Sequence, residues 1–383
     1  MSTYSTYAAD GDLLRPTIIE VDLSAIAANF ENIQKLVGNS LVMPIVKANA
    51  YGHGMVPVVR HLESRGAKYF GVAFIEEAVE LRHHGVTAPI LALGGLLDNQ
   101  VKYFVQYDVD VTASSVSKLD TIEDVAGKMG KRARVHLKID TGMERIGIHW
   151  YSAEKLLERA LQCKNCDVVG IFSHLATAKE GDEAFTRLQL ERFLEVCSFF
   201  EKRSVPAPIR HIAVSGALSI PESYLDMVRP GIAIYGAYPT EACRKVLQLK
   251  PAMSLKSKVV YFKVVKKGAG VSYGLTWVAP EDCRVITIPV GYGDGFPRRM
   301  LNCGSAIVRG KKYPIVGRIC MDQMMINIGQ GEAYNGDEVV LIGGQGAQQI
   351  TAEQVSALVD GNPHEILSSL NQRIPRIYIG GES

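Results

Sequence analysis

Short apolar runs alternate with amphipathic segments along the first two thirds of this 383-residue chain. The runs are rich in β-branched residues and bounded by Gly or Pro, which is typical of buried parallel strands. We predict strands at 41–47, 69–74, 89–94, 109–113, 134–139, 168–173, 211–215 and 231–236. Helical periodicity marks 23–36, 54–65, 75–84, 115–128, 152–162 and 183–202. This α/β alternation favours an N-terminal (β/α)8 TIM-type barrel. A doubly wound open sheet is the alternative, because a strand count cannot show closure.

The pattern changes near residue 245. Strand-like segments separated by Gly-rich turns follow, at 254–266, 284–291, 305–308, 313–319, 323–328 and 337–342, before a helical pattern at 351–360. They predict a second, mostly-β domain. We therefore divide the chain into a tail (1–14), a barrel (15–244) and a β-rich C-terminal domain (245–383). The early strand 17–21 fits either domain.

The charge balance and the cysteines limit the possible partners and compartment. Lys plus Arg number 42 and Asp plus Glu number 40, a formal net charge of +2, which gives no electrostatic case for nucleic acid or an anionic membrane. The sequence shows no signal peptide and no apolar run near the ~18 residues of a membrane span. Seven scattered cysteines indicate reduced thiols, so we expect a cytoplasmic protein.

One cysteine pair, Cys163 and Cys166, has C-x-x-C spacing. A zinc site would need a second pair of ligands nearby in the sequence, and none is evident. A redox motif would need a thioredoxin-like βαβ context. We therefore expect ordinary surface thiols and no metal.

Active sites of parallel barrels lie at the carboxyl ends of the strands. Polar residues follow several predicted strand ends, namely Lys47, Arg145, His174, Ser215 and Arg229, the last leading into 231–236. Lys47 follows the apolar run 42–46, which would place it beside the core. A partly desolvated lysine loses its proton more easily and becomes a competent Schiff-base nucleophile, although a strand-end lysine is more commonly a solvated charge.

Six ordered motifs resemble those of alanine racemases. They are V-K-A-N-A-Y-G-H-G (46–54), K-I-D-T-G-M-E-R-I-G (138–147), M-V-R-P-G-I-A-I-Y-G (227–236), V-S-Y-G (271–274), G-Y-G-D-G (291–295) and G-R-I-C-M-D (317–322). They span nearly the whole chain. The resemblance implies a barrel followed by a β domain, pyridoxal 5'-phosphate as cofactor, and interconversion of L- and D-alanine for peptidoglycan by a homodimer with shared active sites.

The resemblance also implies roles for individual residues in a two-base mechanism. Lys47 would hold the cofactor as a Schiff base and serve the D-alanine face, while Tyr273 from the partner subunit would serve the L-alanine face. Arg229 would face the pyridine nitrogen, to which arginine donates a hydrogen bond without giving up its proton. His174 would link Arg229 to the tyrosine.

Further residues would hold the phosphate and the substrate. The phosphate would lie against Tyr51, Ser215 and the main-chain N–H groups of Gly231 and Ile232. The resemblance also places Arg145 at the substrate carboxylate with Met321 and Asp322 nearby, Tyr292 at the entrance, and Lys138 where carbamylation orients the arginine, an ordinary salt bridge being equally compatible with that lysine.

One position departs from the family pattern. Many members carry a tyrosine just before R-[IV]-P-R, and this chain has Gln372 before 373–376. Glutamine is smaller in area and more flexible, so a racemase that also accepts serine or lysine is an alternative.

Other functions fit the sequence less well. The 291–295 glycines lack the G-x-G-x-x-G spacing of a dinucleotide site, and 304–312 departs from a P-loop in spacing and in its last residue. A non-catalytic pyridoxal phosphate carrier would lack residues 245–383. A decarboxylase of the same fold would place an acidic group where Arg229 stands.

Overall fold

The computed structural model describes residues 13–179 and 182–381. Its strands are β1 (Ile18–Asp22), β2 (Leu41–Val42), β3 (Phe70–Val72), β4 (Ile90–Ala92), β5 (Asp110–Ala113), β6 (Ala133–Asp140), β7 (Ile148–His149), β8 (Cys166–Phe172), β9 (Ile209–His211), β10 (Met227–Val228), β11 (Met253–Lys258), β12 (Tyr261–Val265), β13 (Gly270–Val271), β14 (Trp277–Val278), β15 (Cys283–Ile288), β16 (Ser305–Val308), β17 (Lys311–Val316), β18 (Met324–Gly329), β19 (Glu338–Gln345), β20 (Gln348–Ile350) and β21 (Arg376–Ile379). Its helices are α1 (Leu23–Val37), α2 (Lys47–Tyr51, a single left-handed turn), α3 (Met55–Ser64), α4 (Ile75–His83), α5 (Val101–Gln106), α6 (Val116–Lys128), α7 (Glu154–Leu161), α8 (Glu183–Lys202), α9 (Glu241–Val246), α10 (Ala352–Ala357) and α11 (Pro363–Ser369).

The chain forms two compact units. One comprises Ile26–Ala50 and Met55–Lys250, and the other comprises the residues up to Ala25, Tyr51–Gly54 and everything from Pro251 onward. None of the described helices has the length and hydropathy that a membrane-spanning segment requires.

The first unit is a closed parallel barrel. Strands β3, β4, β5, β6, β8 and β9 pair in that order, and β10 pairs with β2, all in parallel. Bridges at Ile45–Gly71 and Val214–Arg229 join the two groups. The ring of eight strands is therefore complete, which confirms the barrel and excludes the open sheet.

The last barrel strand is not where the sequence predicted it. It is β10, whereas 231–236 forms a succession of turns. The backbone amide of Arg229 bonds to Ala213 in the neighbouring chain segment, with N···O 3.0 Å. Arg229 therefore follows the last strand, instead of leading into it, and stands at the carboxyl end where a barrel site is expected.

The predicted helices of the barrel form within a few residues of their expected limits, and α5 and α9 were not predicted. Side-chain caps set several starts: the amide of Ala25 donates to Asp22 at 3.0 Å and that of Lys118 to Ser115 at 3.1 Å. Such caps satisfy amides that a helix leaves unpaired. The apolar stripe of α1 is fully buried at Ile26, Phe30 and Ile33.

The second unit is mostly β, as predicted. Its main sheet has the order β12-β15-β18-β17-β16-β19-β11-β1-β21, with β20 added at β19 and a separate hairpin formed by β13 and β14. Strand β1 is antiparallel to β11 and parallel to β21. Residues 18–22 therefore belong to this sheet, although the predicted barrel began at residue 15.

Candidate active site

A left-handed turn follows Lys47. The four residues 48–51 all have positive φ, between 52° and 55°, and none is glycine. Such a conformation costs roughly 1–2 kcal/mol per residue, so the surroundings must hold it. The amide of Ala50 donates to Val46 at 2.8 Å, and the Glu77 carboxylate accepts from the amides of Ala48 (2.6 Å) and Ala73 (2.7 Å). A strained backbone that several hydrogen bonds hold in place is typical of a functional segment.

The Lys47 side chain is exposed. Partial desolvation of its amine lowers the pKa of Lys47, the nearby charge of Arg145 lowers it further, and Glu77 opposes both. The sequence predicted a lysine beside the core. The structure places it at the mouth of the barrel, accessible and more easily deprotonated than a lysine in water.

Arg229 is buried, with 2 % of its surface exposed. Nη1 donates to His211 Nδ1 at 2.9 Å and to the His211 carbonyl at 2.7 Å, while Nη2 donates to the Ser173 carbonyl at 2.7 Å and the Ile212 carbonyl at 3.2 Å. Burial lowers the pKa of Arg229 to about 9, which leaves it a cation at neutral pH. Within the described residues its Nε has no hydrogen-bond acceptor, so one N–H of this fixed cation is available to a ligand.

A buried polar chain extends from Arg229 across the barrel. His211 Nε2 lies 2.9 Å from His136 Nδ1, and His136 Nε2 lies 2.8 Å from the Tyr69 hydroxyl. That hydroxyl donates to Asp110, which also accepts from Arg134 Nε at 2.7 Å. We call Tyr69, Asp110, His136, His211 and Arg229 the polar chain.

Arginine fixes the direction of every bond in the polar chain. Because a guanidinium only donates, His211 Nδ1 must accept and its Nε2 must carry the proton. His136 then accepts at Nδ1 and donates from Nε2 towards Tyr69 and Asp110. Burial lowers the pKa of both histidines, and in His211 the Arg229 charge adds to it. Both imidazoles are therefore neutral, each in one tautomer.

Two more basic groups share the surroundings of Arg229. Burial, followed by the charge of Arg229, lowers the pKa of Lys138 to about 7. Burial lowers the pKa of His174 well below its usual value, with contributions from Arg229, Lys138, Arg145 and Lys47. This mutual influence indicates that these predicted residues lie in one electrostatic cluster. The link from His174 to Arg229 is electrostatic here, because the hydrogen bonds of Arg229 go to other groups.

Ser215 and the turn after Arg229 form an amide-lined cradle. The Ser215 hydroxyl accepts from the amides of Gly231 (2.8 Å) and Ala233 (3.4 Å), and Ile232 is buried between them in sequence. A Cβ at Gly216 would lie 2.9 Å from the Ala178 carbonyl oxygen, so only glycine fits. Converging amides of this kind suit an anion.

Tyr51 ends the left-handed turn and belongs to the β-rich unit. Its ring is buried and lies 5.6 Å, centroid to centroid, from His364. The following glycines are required by packing: at φ +83°, a Cβ on Gly52 would lie 2.3 Å from the Leu367 carbonyl oxygen, and one on Gly54 would overlap the Tyr378 hydroxyl. This explains the two glycines of the 46–54 motif.

The remaining predicted residues lie on exposed parts of the β-rich unit. Tyr273 occupies the tip of the β13–β14 hairpin with 70 % of its surface exposed, and the exposed fractions are 53 % for Met321 and 40 % for Tyr292. The Gly293 amide donates to the Met321 carbonyl at 2.8 Å, so Tyr292 and Met321 are held side by side. Asp322 accepts from Arg373 at 2.8 Å.

Gln372 lies in an exposed turn between the residues that anchor this end of the chain. Its neighbour Asn371 donates to the Gly293 carbonyl at 2.8 Å, and Arg373 pairs with Asp322. The position that departs from the family pattern is therefore close to the G-Y-G-D-G turn.

Sequence reasoning missed the inner members of the polar chain and Glu77. A signal was present, because side chains alternate between the two faces of a strand. In β6, His136 and Lys138 are two residues apart, as are Asp110 and Thr112 in β5, and all four are buried. Buried polar residues at a two-residue spacing mark the interior of a barrel.

Comparison with known proteins shows which family the chain resembles over its length. The sequence profile described as alanine racemase, N-terminal domain, matches residues 21–239, and that of the alanine racemase C-terminal domain matches 252–378. Alanine racemase 2 of Caldanaerobacter subterraneus subsp. tengcongensis is 44% identical over 372 residues, 96% of either chain.

Solved structures show the same fold. An alanine racemase from D-cycloserine-producing Streptomyces lavendulae superposes with a TM-score of 0.92 at 35% identity, covering 97% of this chain and 99% of the other. One from Bartonella henselae, with covalently bound pyridoxal phosphate, has a TM-score of 0.86 at 30% identity, with coverage of 95% and 99%.

Proposed function

This chain belongs to the alanine racemase family and interconverts L-alanine and D-alanine, and we propose that it does so with pyridoxal phosphate bound covalently to Lys47. The observation that carries the proposal is that His174 feels the charges of both an accessible lysine, Lys47, and the buried Arg229, whose Nε has no acceptor among the described residues. The Bartonella relative, which holds this cofactor covalently, supports it.

The residues present fit the cofactor. Lys47 supplies an amine that deprotonates readily. Ser215, the Gly231 amide that donates to its hydroxyl, and the Ile232 amide are proposed to form the cradle for the phosphate. Tyr51 is proposed as a further phosphate ligand. Pyridoxal phosphate, when bound, delocalises the negative charge that remains on the substrate Cα after proton removal. Arg229 Nε would donate a hydrogen bond to the pyridine nitrogen without transferring a proton, because four hydrogen bonds fix the guanidinium and a pKa of about 9 leaves it charged at neutral pH.

Two bases exchange the Cα proton in this proposal. Lys47 Nζ takes or returns it on the D-alanine face, and Tyr273 Oη does so on the L-alanine face. Positioned acid–base groups contribute typically 10²–10⁴-fold each. Tyr273 lies at an exposed hairpin tip, which supports its delivery to a second copy of the chain and hence a homodimer with shared sites. His174, held neutral, would lie between Arg229 and that tyrosine.

Arg145 is proposed to bind the substrate carboxylate, with Met321 and Asp322 of the partner beside it and Tyr292 at the entrance. Lys138 is proposed to carry a carbamate that orients Arg145. Carbamate formation needs a neutral amine, and a pKa of about 7 provides one at neutral pH. Loss of a bicarbonate-derived ¹³C signal in Lys138→Ala would support the modification, and an unchanged signal would contradict it.

Borohydride reduction tests the cofactor assignment. The purified protein should be yellow, and reduction followed by peptide mass spectrometry should fix one pyridoxyl group per chain on Lys47. Lys47→Arg keeps the positive charge but forms no stable adduct, so it is the matched control. A colourless protein that ignores added cofactor, or an adduct on another lysine, would overturn the proposal.

Gln372 favours a second candidate, a racemase of broader range. A glutamine in place of the bulkier tyrosine leaves the site less tightly filled, which suits serine or lysine as additional substrates. Racemisation of alanine, serine and lysine followed by circular dichroism, in the wild type and in Gln372→Tyr, tests this. A strict preference for alanine in both proteins would reject it. A cytoplasmic location and supply of D-alanine to peptidoglycan are proposed from the resemblance.

A further inference from the structure

The C-x-x-C pair lies beside a carboxylate that sequence spacing did not reveal. Ligand atoms of Cys163, Cys166 and Glu123 all lie within 4.8 Å of one another. Glu123 belongs to α6, forty residues before the cysteines, which flank the turn between α7 and β8. Cys166 is buried, and the other two are partly exposed. Two thiols and a carboxylate thus converge on the outer surface of the barrel.

The turn that carries the cysteines is fixed by contacts from both sides. The Glu123 carboxylate accepts from the amides of Lys164 (2.8 Å) and Asn165 (2.9 Å), and from the Asn165 side chain at 3.1 Å. Arg132 donates to the Lys164 carbonyl on the opposite side. One turn beyond Glu123, a Cβ on Gly127 would lie 2.7 Å from Asn165 Nδ2, so this glycine lets the turn approach α6. The two sulfur atoms are therefore held in place before any ligand arrives.

The charges around the turn suit thiolates. Arg159 Nη1 lies 3.4 Å from Cys163 Sγ. This cation lies where it can offset part of the negative charge of a metal-bound thiolate.

We propose that Cys163, Cys166 and Glu123 form a zinc site, with water as the fourth ligand. Zinc binds thiolates at about 2.3 Å and carboxylates at about 2.0–2.2 Å in tetrahedral geometry, so adjacent sulfurs lie about 4 Å apart. The observed spacing needs an adjustment of about 1 Å or less. Binding forms two Zn–S bonds and one Zn–O bond to the protein in place of coordinated waters, one water stays on the metal, and both thiol protons leave to solvent. Arg159, which also pairs with Asp120 at 2.6 Å, offsets part of the remaining negative charge.

Zinc titration of the holoenzyme tests the site. Protein reduced with a phosphine and freed of metal should take up one Zn²⁺ per chain in competition with a chromophoric chelator. Co²⁺ should give thiolate-to-metal absorption. Cys163→Ser and Cys166→Ser should each weaken zinc binding at least about 100-fold, and Glu123→Gln at least about 10-fold, because losing a residue that only supports a ligand already costs about 10–100-fold. Zinc should also raise the melting temperature of the wild type, but not of the Ser variants.

Two matched controls isolate the cluster. Cys303→Ser removes an exposed thiol elsewhere in the chain. Asp124→Asn removes the carboxylate of the residue after Glu123, and Asp124 pairs with Lys128 at 2.6 Å. Both should bind zinc like the wild type. The proposal is overturned if the reduced wild type binds no zinc, or if the double Ser variant binds it equally well. Circular dichroism of each variant verifies folding. Zinc binding is measured directly, so neither result depends on racemase activity.

Discussion

The polar chain inside the barrel and the exposed hairpin region of the β-rich unit differ in how completely one chain satisfies them. In the polar chain, His136 and His211 are fully buried, Arg229 is 2 % exposed, and every bond has one direction. By contrast, Tyr273 is 70 % exposed, Leu275 61 % and Met321 53 %. Clustered exposed apolar side chains mark interaction surfaces. The first region is completed within one chain, whereas the second presents residues for another.

Mixing two inactive variants would test this contrast most strongly. Lys47→Ala and Tyr273→Phe should each lose about 10²–10⁴-fold in turnover. If the sites are shared across a two-fold dimer, half of randomly reassociated dimers are mixed and each mixed dimer has one intact site. Activity should then recover to about a quarter of the wild type, measured by racemisation after co-refolding. Activity at the level of the parents would show that each site is built from one chain.

A charge on the exposed surface should separate the subunits. Leu275→Asp places a carboxylate among apolar side chains that we expect to be covered by the partner. The dimer dissociation constant should rise about 10–100-fold, the effect of burying an unpaired charge. Sedimentation velocity over a dilution series measures it. Leu161→Asp, on α7 with 48 % exposure, is the control and should leave the dimer intact. Equal effects of both substitutions would contradict the proposed surface.

A single hydroxyl deletion should sharpen the view of the buried region. Tyr69→Phe removes a donor to the Asp110 carboxylate and should lower the free energy of unfolding by about 1.5–3 kcal/mol. Thr112→Val also deletes one buried hydroxyl, which donates to the neutral Ala92 carbonyl at 2.8 Å, and should cost about 0.5–1.5 kcal/mol. Urea unfolding at one protein concentration compares them. Equal losses would mean that the charge on Asp110 adds nothing.

Acid should weaken the buried region first. The folded-state pKa values of His136 and His211 are lowered. Below the usual histidine pKa, the unfolded chain therefore binds protons that the native state does not bind. Stability is then complete above that pKa and is lost below it, by up to about 1.4 kcal/mol per pH unit for each histidine. Urea unfolding across this pH range measures the slope. His211→Asn should reduce it, and an unchanged slope would show that other groups titrate.

Much of the molecule could be predicted because it depends on local pattern. Alternating apolar runs indicated the barrel, and the change in spacing near residue 245 indicated the β domain. Lys47 and Arg145 became candidates because barrel sites lie at strand ends, whereas Arg229 was expected to precede the last strand and instead follows it. The prediction of a strand at 231–236 was wrong, because an apolar run with glycine and proline fits a turn as well as a strand.

The sequence itself determined the alternation of strands and helices and the ordered motifs around Lys47 and Tyr273. The period of a strand or helix is set by neighbouring residues, so a local pattern is enough to predict it. Only the tertiary structure decided three features: the closure of the barrel, the left-handed turn at 48–51, and the proximity of Glu123 to two cysteines. Each depends on residues far apart in the chain. Their hydrogen bonds and charges act only over a few ångströms, so only the folded chain brings them into effect.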